Sequence, residues 1–213
     1  MDRTTGAILG GKNHDERWRA ASTTKIMTAL LTVEAIDAGR ISLDSTVVVQ
    51  ADVDISGRDP EDLNDEDRLP DHEICRDAEN NFTLAECAHY STARDLAALA
   101  RVALDEPLFA TLAQRTTWRT TTWRRDRLVM DRRLSTTNQL LPGGPNAYTG
   151  AYGVKTGTTD MARENLVSAA RNVDAEGMDV IAVVLGSDDD KTTTPDRYTD
   201  STTLLDWALD RTP

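Results

Sequence analysis

The order of the predicted elements favours an α+β fold, in which an antiparallel sheet is flanked by helices. One amphipathic helix lies near the start of the chain, a helical stretch lies in the middle, and three strand-like segments precede a closing helix. The chain has 213 residues, of which 39% are hydrophobic, so it can bury a sizeable core. We therefore expect one domain over residues 1–213.

The first elements follow from apolar spacing and from glycine positions. Residues 6–11 predict a short strand that ends in a glycine turn. Apolar residues recur at helical spacing over residues 22–38, and Gly39 follows as a C-cap, so a helix is expected there. The β-branched run at residues 46–49 predicts a further strand.

The second half of the chain shows clear helix and strand patterns. Thr92 and its neighbours cap a helix that continues to Leu104, since apolar residues lie on one face of it. Glycine and proline mark residues 138–146 as a loop. Strands are expected at residues 116–123, 154–158, 165–170 and 179–186, and a final amphipathic helix at residues 199–210.

The formal net charge of −12 argues against nucleic acid and anionic membrane surfaces as partners. Aspartate outnumbers glutamate and arginine replaces lysine, a bias that resembles proteins adapted to high salt. An ordinary acidic protein from a GC-rich genome is the alternative. No run is apolar enough to cross a membrane, and no signal peptide opens the sequence. Two interpretations stay open, a mature fragment and a cytosolic protein.

Residues 52–80 differ from their surroundings, because they are acidic, poor in apolar residues and interrupted by prolines. An extended loop or a disordered insertion is expected there. His72, Cys75, Cys87 and His89 lie within eighteen positions of one another. Three states of the two cysteines stay open: a zinc site shared with both histidines, a disulfide in an exported protein, and unpaired thiols.

Trp118 and Trp123 alternate with threonines and arginines on the strand predicted at residues 116–123. A glycan-binding groove and a partly buried strand face both fit this pattern, and the second is the more ordinary outcome.

Two short motifs are prominent because the chain has four lysines in all. Ser22 and Lys25 form an S-x-x-K motif, and Lys155, Thr156 and Gly157 form a K-T-G motif. By composition alone, S-x-x-K arises by chance in roughly a sixth of such chains and K-T-G in about three per hundred. Together, in this order, they are typical of serine enzymes that acylate on a D-alanyl peptide or a β-lactam.

The spacing of the first motif suits nucleophilic catalysis. A serine hydroxyl attacks well only when a base takes its proton, and residues three apart on a helix share a face. The helix N-terminus also favours an oxyanion beside Ser22. Lys155 is the natural second cation near Lys25, and Gly157 leaves room for a substrate backbone along a strand edge. A helix N-cap at Ser22 with a solvated Lys25 is the alternative.

Several segments resemble one known family. Residues 20–29 are similar to the active-serine segment of the D-alanyl-D-alanine carboxypeptidases, the low-molecular-mass penicillin-binding proteins of peptidase family S11. Residues 152–159 are similar to the segment around the K-T-G motif of that family. Further similar segments are residues 89–96, 165–167 and 180–187. The resemblance implies a serine β-lactamase/penicillin-binding-protein fold and one transpeptidase-like domain.

The same resemblance implies roles for five residues. Ser22 would be the acylated nucleophile and Lys25 its proton acceptor. Lys155 and Thr156 would bind the terminal carboxylate, and the backbone amides of Ser22 and Thr158 would form the oxyanion hole. The implied partner is a D-alanyl-terminated peptide or a β-lactam, and the implied reaction removes the terminal D-alanine of a muropeptide. No metal or organic cofactor is implied, and an extracytoplasmic location is expected from the family.

The chain departs from the family pattern in its middle. No S-x-N motif is present, although the family uses its serine and asparagine to relay a proton and to bind the substrate amide. The family normally has more residues here, so residues 52–88 are expected to be an atypical acidic insertion or the remnant of a shortened helical region. Arg163 also stands where relatives commonly have glycine.

Several functions therefore stay open. The chain is an impaired enzyme, a non-catalytic module that binds peptidoglycan or β-lactams, or an enzyme in which another side chain replaces the missing pair. A related serine hydrolase such as a β-lactamase is a further alternative.

Overall fold

In the computed structural model of the protein, the chain divides into two units. The first comprises Met1–Val33 and Tyr90–Pro213, and the second comprises Glu34–His89. The single domain expected from the sequence, and the nature of residues 52–88, stay predictions. The structure describes residues 1–45, 75–76, 82–83, 90–124, 127–159, 161–172, 177–187 and 196–210.

Short strands and helices alternate in the first half of the chain, and long strands dominate the second half. In chain order, the elements are β1 (Trp18–Arg19), a 3-10 turn (Ala21–Thr24), α1 (Lys25–Asp37), β2 (Cys75–Arg76), β3 (Phe82–Thr83), β4 (Tyr90–Ser91), α2 (Ala93–Asp105), α3 (Pro107–Ala113), β5 (Thr117–Arg124), β6 (Arg127–Ser135), β7 (Ala151–Thr159), β8 (Arg163–Arg171), β9 (Asp179–Ser187) and α4 (Arg197–Leu209).

The first unit is built on an antiparallel sheet in the order β7–β8–β9. The central strand β8 is buried continuously from Asn165 to Ala170. Such a run of small and apolar residues is typical of a strand that is covered on both faces. Leu166 and Ala170 pack with residues of α4, while Val167 and Ala169 pack with residues of α1 and α2. The sheet therefore lies between two helical layers, which confirms the predicted α+β class.

Among the described residues, three further strand pairs lie outside this sheet, and all are antiparallel. β5 and β6 form a hairpin that is a separate two-stranded sheet, and β1 pairs with β4 within the first unit. β2 pairs with β3 in the second unit, with Cys75 opposite Thr83.

The predicted helices are confirmed with small shifts at their ends. The helix expected at residues 22–38 begins as the 3-10 turn and continues as α1, and Gly39 adopts the left-handed φ of +67° that a C-cap needs. Thr92 caps α2 by accepting a hydrogen bond from the Asp95 amide at 3.0 Å. Asp196 caps α4 in the same way, so α4 begins two residues before the predicted start at Thr199.

The strand predicted at residues 6–11 is wrong, because residues 6–12 have no regular structure. Two adjacent glycines weaken a strand, since they add backbone freedom and offer no side chain to pack. A Cβ at Gly10 would lie 2.5 Å from the Trp207 ring. The backbone at Gly10 therefore packs directly against the Trp207 ring of α4, at a distance that leaves no room for a Cβ.

Six of the described elements were not expected from the sequence: the two-residue strands β1, β2, β3 and β4, and the longer elements α3 and β6. α3 has seven residues and begins with Pro107, which favours a helix start but predicts little about its length. β6 contains Arg132 and Arg133 in place of a regular apolar alternation, so its own sequence does not predict a strand. Its pairing with β5 determines its strand conformation.

Several expectations fall outside the described residues. They are the strand at residues 46–49, nearly all of residues 52–80, and the pairing or zinc binding of Cys75 and Cys87 with His72 and His89. Within the described part of the chain, no helix is both long enough and apolar enough to span a membrane.

Arg163 provides a test of backbone strain. It begins β8 with a φ of +55°, in the left-handed region that glycine adopts freely and other residues adopt at a cost. We expect Arg163→Gly to be more stable than Arg163→Ala by about 1 kcal/mol, since both lose the side chain and only glycine relieves the strain. Urea unfolding of the two variants measures this difference. Equal stabilities would contradict it.

Candidate active site

Ser22 and Lys25 meet at the start of the first long helix. Ser22 lies in the 3-10 turn and Lys25 is the first residue of α1. The Lys25 Nζ donates a hydrogen bond of 3.0 Å to the Ser22 Oγ, so the two side chains of the S-x-x-K motif are in direct contact. Ser22 is not the N-cap of the turn, because Ala20 occupies that position, whereas Lys25 is exposed as the alternative expected.

The turn that contains Ser22 is fixed by hydrogen bonds to its carbonyls. Thr23 is fully buried, and its hydroxyl donates to the Ala20 carbonyl at 2.5 Å. Asn165 of β8 is also fully buried, and its Nδ2 donates to the carbonyls of Arg19 at 2.8 Å and Ala20 at 3.2 Å. The backbone before Ser22 is therefore attached directly to the central strand.

Gly157 brings β7 against this turn. A Cβ at Gly157 would lie 3.1 Å from the Ala20 carbonyl oxygen and from the backbone nitrogens of Ser22 and Thr23. A side chain at this position would make contacts shorter than ordinary van der Waals distances, which accounts for glycine in the K-T-G motif. β7 is an edge of the described three-stranded sheet, which is the position where an extended peptide can add to a sheet.

Lys155 is the second cation of the site. Its Nζ donates to the Thr156 carbonyl at 2.7 Å, and its side chain is partly buried. Burial lowers the pKa of Lys155, and the positive charges of Lys25 and Arg197 lower it further. The two lysines of the motifs therefore repel each other in the folded protein.

The hydroxyl of Thr156 is already hydrogen-bonded within the protein. It lies 2.5 Å from the hydroxyl of Thr137, whose carbonyl accepts from the Tyr198 hydroxyl at 2.8 Å. Thr137 belongs to the Thr-Thr-Asn segment at residues 136–138, which keeps only the asparagine of an S-x-N motif, so the sequence did not predict its contact with Thr156. The contact connects the K-T-G motif to the end of the β5–β6 hairpin.

Arg197 is a buried side chain that forms hydrogen bonds with the K-T-G strand, and no sequence signal indicated it. Its side chain is buried, with the residue 9% exposed. The guanidinium donates to the Gly157 carbonyl at 3.1 Å, to the Thr158 hydroxyl at 2.8 Å and to Glu164 at 2.6 Å. A lone arginine at a helix start carries no motif, so only the fold brings it to the site.

Asn138 ends a Thr-Thr-Asn segment that retains the asparagine of an S-x-N motif, but its side chain serves the loop. It is buried, its Nδ2 donates to the Gly153 carbonyl at 2.9 Å, and its Oδ1 accepts from the Leu140 amide at 3.1 Å. Its amide group therefore fixes the loop to β7, and it does not stand in for the asparagine of an S-x-N motif.

The lowered pKa of Lys155 has a consequence for stability. Between the folded pKa and the ordinary value of 10.5, the unfolded chain binds more protons at this group than the folded protein. The wild type should therefore gain stability as the pH rises through that window, and Lys155→Met should lack this gain. We expect the unfolding free energy of the wild type minus that of the variant to increase as the pH approaches 10.5.

Urea unfolding at a series of pH values measures the difference, with Lys12→Met at an exposed lysine as the matched control. A difference that stays constant over the series would show that Lys155 titrates alike in both states.

The comparisons with known proteins agree with this geometry. The family model for D-alanyl-D-alanine carboxypeptidase, peptidase family S11, matches residues 1–65 and 76–189. The chain is 28% identical over 251 aligned positions to the D-alanyl-D-alanine carboxypeptidase DacF of Bacillus subtilis. This match covers 98% of the chain and 60% of the relative, so the chain spans about 60% of the length of DacF. The aligned stretch is longer than the chain, so DacF has residues that this chain lacks.

Solved structures show the same fold. The Streptomyces K15 DD-transpeptidase is 25% identical with a TM-score of 0.65, over 99% of this chain and 95% of that one. A peptidoglycan synthesis regulatory factor (PBP3) from Streptococcus pneumoniae is 19% identical with a TM-score of 0.69, over 99% of this chain and 70% of that one. Since the family model matches most of its length, the chain belongs to the D-alanyl-D-alanine carboxypeptidase family, peptidase family S11.

Proposed function

We propose that the protein is a serine-type D-alanyl-D-alanine carboxypeptidase that acts on peptidoglycan peptides through an acyl-enzyme on Ser22. The observation that carries the proposal is the 3.0 Å hydrogen bond between Lys25 and Ser22. The close approach of Gly157 to the Ser22 amide supports it, because it puts the two motifs in one place.

In the proposed acylation, Lys25 accepts the Ser22 proton while Oγ attacks the carbonyl carbon of the penultimate D-alanine. The new O–C bond forms a tetrahedral oxyanion, for which the amides of Ser22 and Thr158 are the donors. The C–N bond then breaks, and the proton passes to the leaving amine of the terminal D-alanine. Water attacks the resulting ester, which releases the shortened peptide and restores the Ser22 hydroxyl.

The terminal carboxylate of the substrate would bind beside Lys155. The partly buried ammonium of Lys155 offers a positive charge at the edge strand, and Thr156 adds a hydroxyl. Arg197 would fix the Gly157 carbonyl and the Thr158 hydroxyl through its hydrogen bonds. Because the Gly157 carbonyl and the Thr158 amide belong to one peptide group, the amide proposed as an oxyanion donor would keep its orientation.

A non-catalytic module that binds peptidoglycan or β-lactams is the second candidate, and one observation favours it. The chain has no S-x-N motif, and the amide of Asn138 is committed to the loop before β7. A site that binds D-alanyl ends without the proton relay would acylate slowly or not at all.

Ser22→Ala tests the nucleophile. The wild type, incubated with a fluorescent penicillin, is expected to form a covalent adduct by intact mass and to release D-alanine from a peptide that ends in D-alanyl-D-alanine. Ser22→Ala should show neither product, because Lys25 then has no hydroxyl to deprotonate.

The outcomes separate the candidates. An adduct without D-alanine release favours the impaired enzyme, and hydrolysis of the penicillin favours a β-lactamase. Binding without any adduct favours the non-catalytic module. An adduct that persists in the Ser22→Ala variant would place the nucleophile elsewhere.

Gly157→Ala tests the contact between the two motifs. The added Cβ would meet backbone atoms at 3.1 Å, so β7 and the Ser22 turn must separate. We expect penicillin acylation to slow by about tenfold to a hundredfold, as small misplacements of reacting groups do.

Gly153→Ala is the matched control on the same strand. Its Cβ would meet side chains at 3.8 Å and 3.9 Å, which is ordinary contact. Equal acylation rates for the two variants would show that the close approach at Gly157 does not matter for the reaction.

A further inference from the structure

Among the described residues, the hydroxyl of Thr156 has one hydrogen-bond partner, and that partner lies outside the K-T-G motif. Thr156 is buried, with 6% of the residue exposed. Its Oγ1 lies 2.5 Å from the Oγ1 of Thr137, which is an exposed residue. A buried hydroxyl of the motif is therefore paired with a hydroxyl on a residue that reaches the solvent.

The backbone at Thr137 is held by contacts on both sides of it. The Tyr198 hydroxyl donates to the Thr137 carbonyl at 2.8 Å. The amide of the preceding residue, Thr136, closes the base of the β5–β6 hairpin with a hydrogen bond of 2.8 Å. The side chain of the following residue, Asn138, donates to a carbonyl of β7 at 2.9 Å. Because this backbone is already fixed, the Thr137 hydroxyl meets Thr156 with little further loss of conformational entropy.

The direction of the hydrogen bond between the two hydroxyls determines what Thr156 can bind. Each hydroxyl has one proton to donate and can also accept on its oxygen. If Thr156 donates to Thr137, it has no proton left for a carboxylate. If Thr137 donates to Thr156, the Thr156 proton is free, and the bond that Thr156 accepts polarises its O–H group. A bound carboxylate favours the second arrangement, because hydrogen bonds to an ionised acceptor are about twice as strong as neutral ones.

A purely structural role for this hydrogen bond is the alternative. It would attach the base of the hairpin to β7, whichever hydroxyl donates. The contacts of Tyr198, Thr136 and Asn138 already fix this part of the backbone. An exposed threonine can also satisfy its hydroxyl with water, so stability alone gives no reason for it to contact Thr156.

We propose that Thr137 is a positioning residue, whose hydroxyl donates to the Thr156 oxygen and so directs the Thr156 proton toward the substrate carboxylate. The inference rests on the proposed function, in which Thr156 binds the carboxylate of the terminal D-alanine. Thr137 acts through Thr156 and does not touch the reacting atoms. Its hydroxyl therefore strengthens the binding of a free carboxylate end and leaves the chemistry at Ser22 unchanged.

Binding to the Ser22→Ala protein tests the proposal without hydrolysis. Fluorescence anisotropy compares two labelled peptides that end in D-alanyl-D-alanine, one with a free terminal carboxylate and one with a terminal carboxamide. We expect Thr137→Val in this background to reduce the preference for the carboxylate peptide by about fivefold, as the loss of one hydrogen bond does. Valine has the shape of threonine, so the variant removes the hydroxyl and little else.

Two further variants are the controls. Thr137→Ser keeps the hydroxyl and should keep the preference for the carboxylate peptide. Thr32→Val makes the same chemical change at an exposed threonine of α1, whose hydroxyl donates to the Thr28 carbonyl at 2.8 Å. It should alter the affinity for neither peptide. Melting temperatures check that all the variants fold.

Turnover of the carboxylate peptide by the protein with Ser22 intact provides a second readout. Thr137→Val should raise KM by about fivefold and leave kcat nearly unchanged, since a contact that is equal in the ground state and the transition state affects KM alone. A fall in kcat with no change in KM would contradict a role in carboxylate binding.

The outcomes of the binding measurements separate this proposal from the proposed function. An unchanged carboxylate preference in Thr137→Val would overturn the proposal, and so would an equal loss of affinity for both peptides, which a structural role predicts. If the Ser22→Ala protein binds the two peptides alike, the carboxylate site of the proposed function is overturned together with it. Failure of the wild type to release D-alanine would contradict the proposed function alone, because the binding measurements need no hydrolysis.

Discussion

The close approach of β7 to the turn at Ser22 is the constraint on which the candidate site depends. Ser22 and Gly157 are far apart in the chain, and their backbones come together because Gly157 presents no Cβ to the Ala20 carbonyl. Two buried donors hold the contact from opposite sides. Asn165 holds the carbonyls before Ser22, and Arg197 holds the carbonyl of Gly157. A buried donor without its acceptor is costly, so each side chain fixes the backbone that it contacts.

The motif residues could be predicted from the sequence because their chemistry restricts them. Residues three apart on a helix share a face, so the spacing of Ser22 and Lys25 predicts that their side chains meet, and their hydrogen bond confirms this contact. The strands β7, β8 and β9 were predictable for a different reason. β8 is covered on both faces, and a short continuous run of small and apolar residues is typical of such a buried strand.

The positioning residues could not be predicted, because they act through single long-range contacts. Asn165 and Arg197 are ordinary polar residues in the sequence, and only the fold shows which carbonyls they reach. The same limit applies to Trp118, for which a partly buried strand face was the ordinary expectation. It is 48% exposed, because its hairpin is a separate sheet instead of part of the core. Local pattern cannot reveal which sheet a strand joins.

The cations of the candidate site are held against their mutual repulsion. Lys155 lies near Lys25 and Arg197, and this repulsion contributes to the lowered pKa of its ammonium. Like charges brought together in a folded protein destabilise it until an anion binds between them. A substrate carboxylate would relieve that repulsion and raise the pKa of Lys155 again, so part of its binding energy comes from repulsion already present in the free site. The acidic surface does not oppose this, because salt screens distant charges far more than those in direct contact.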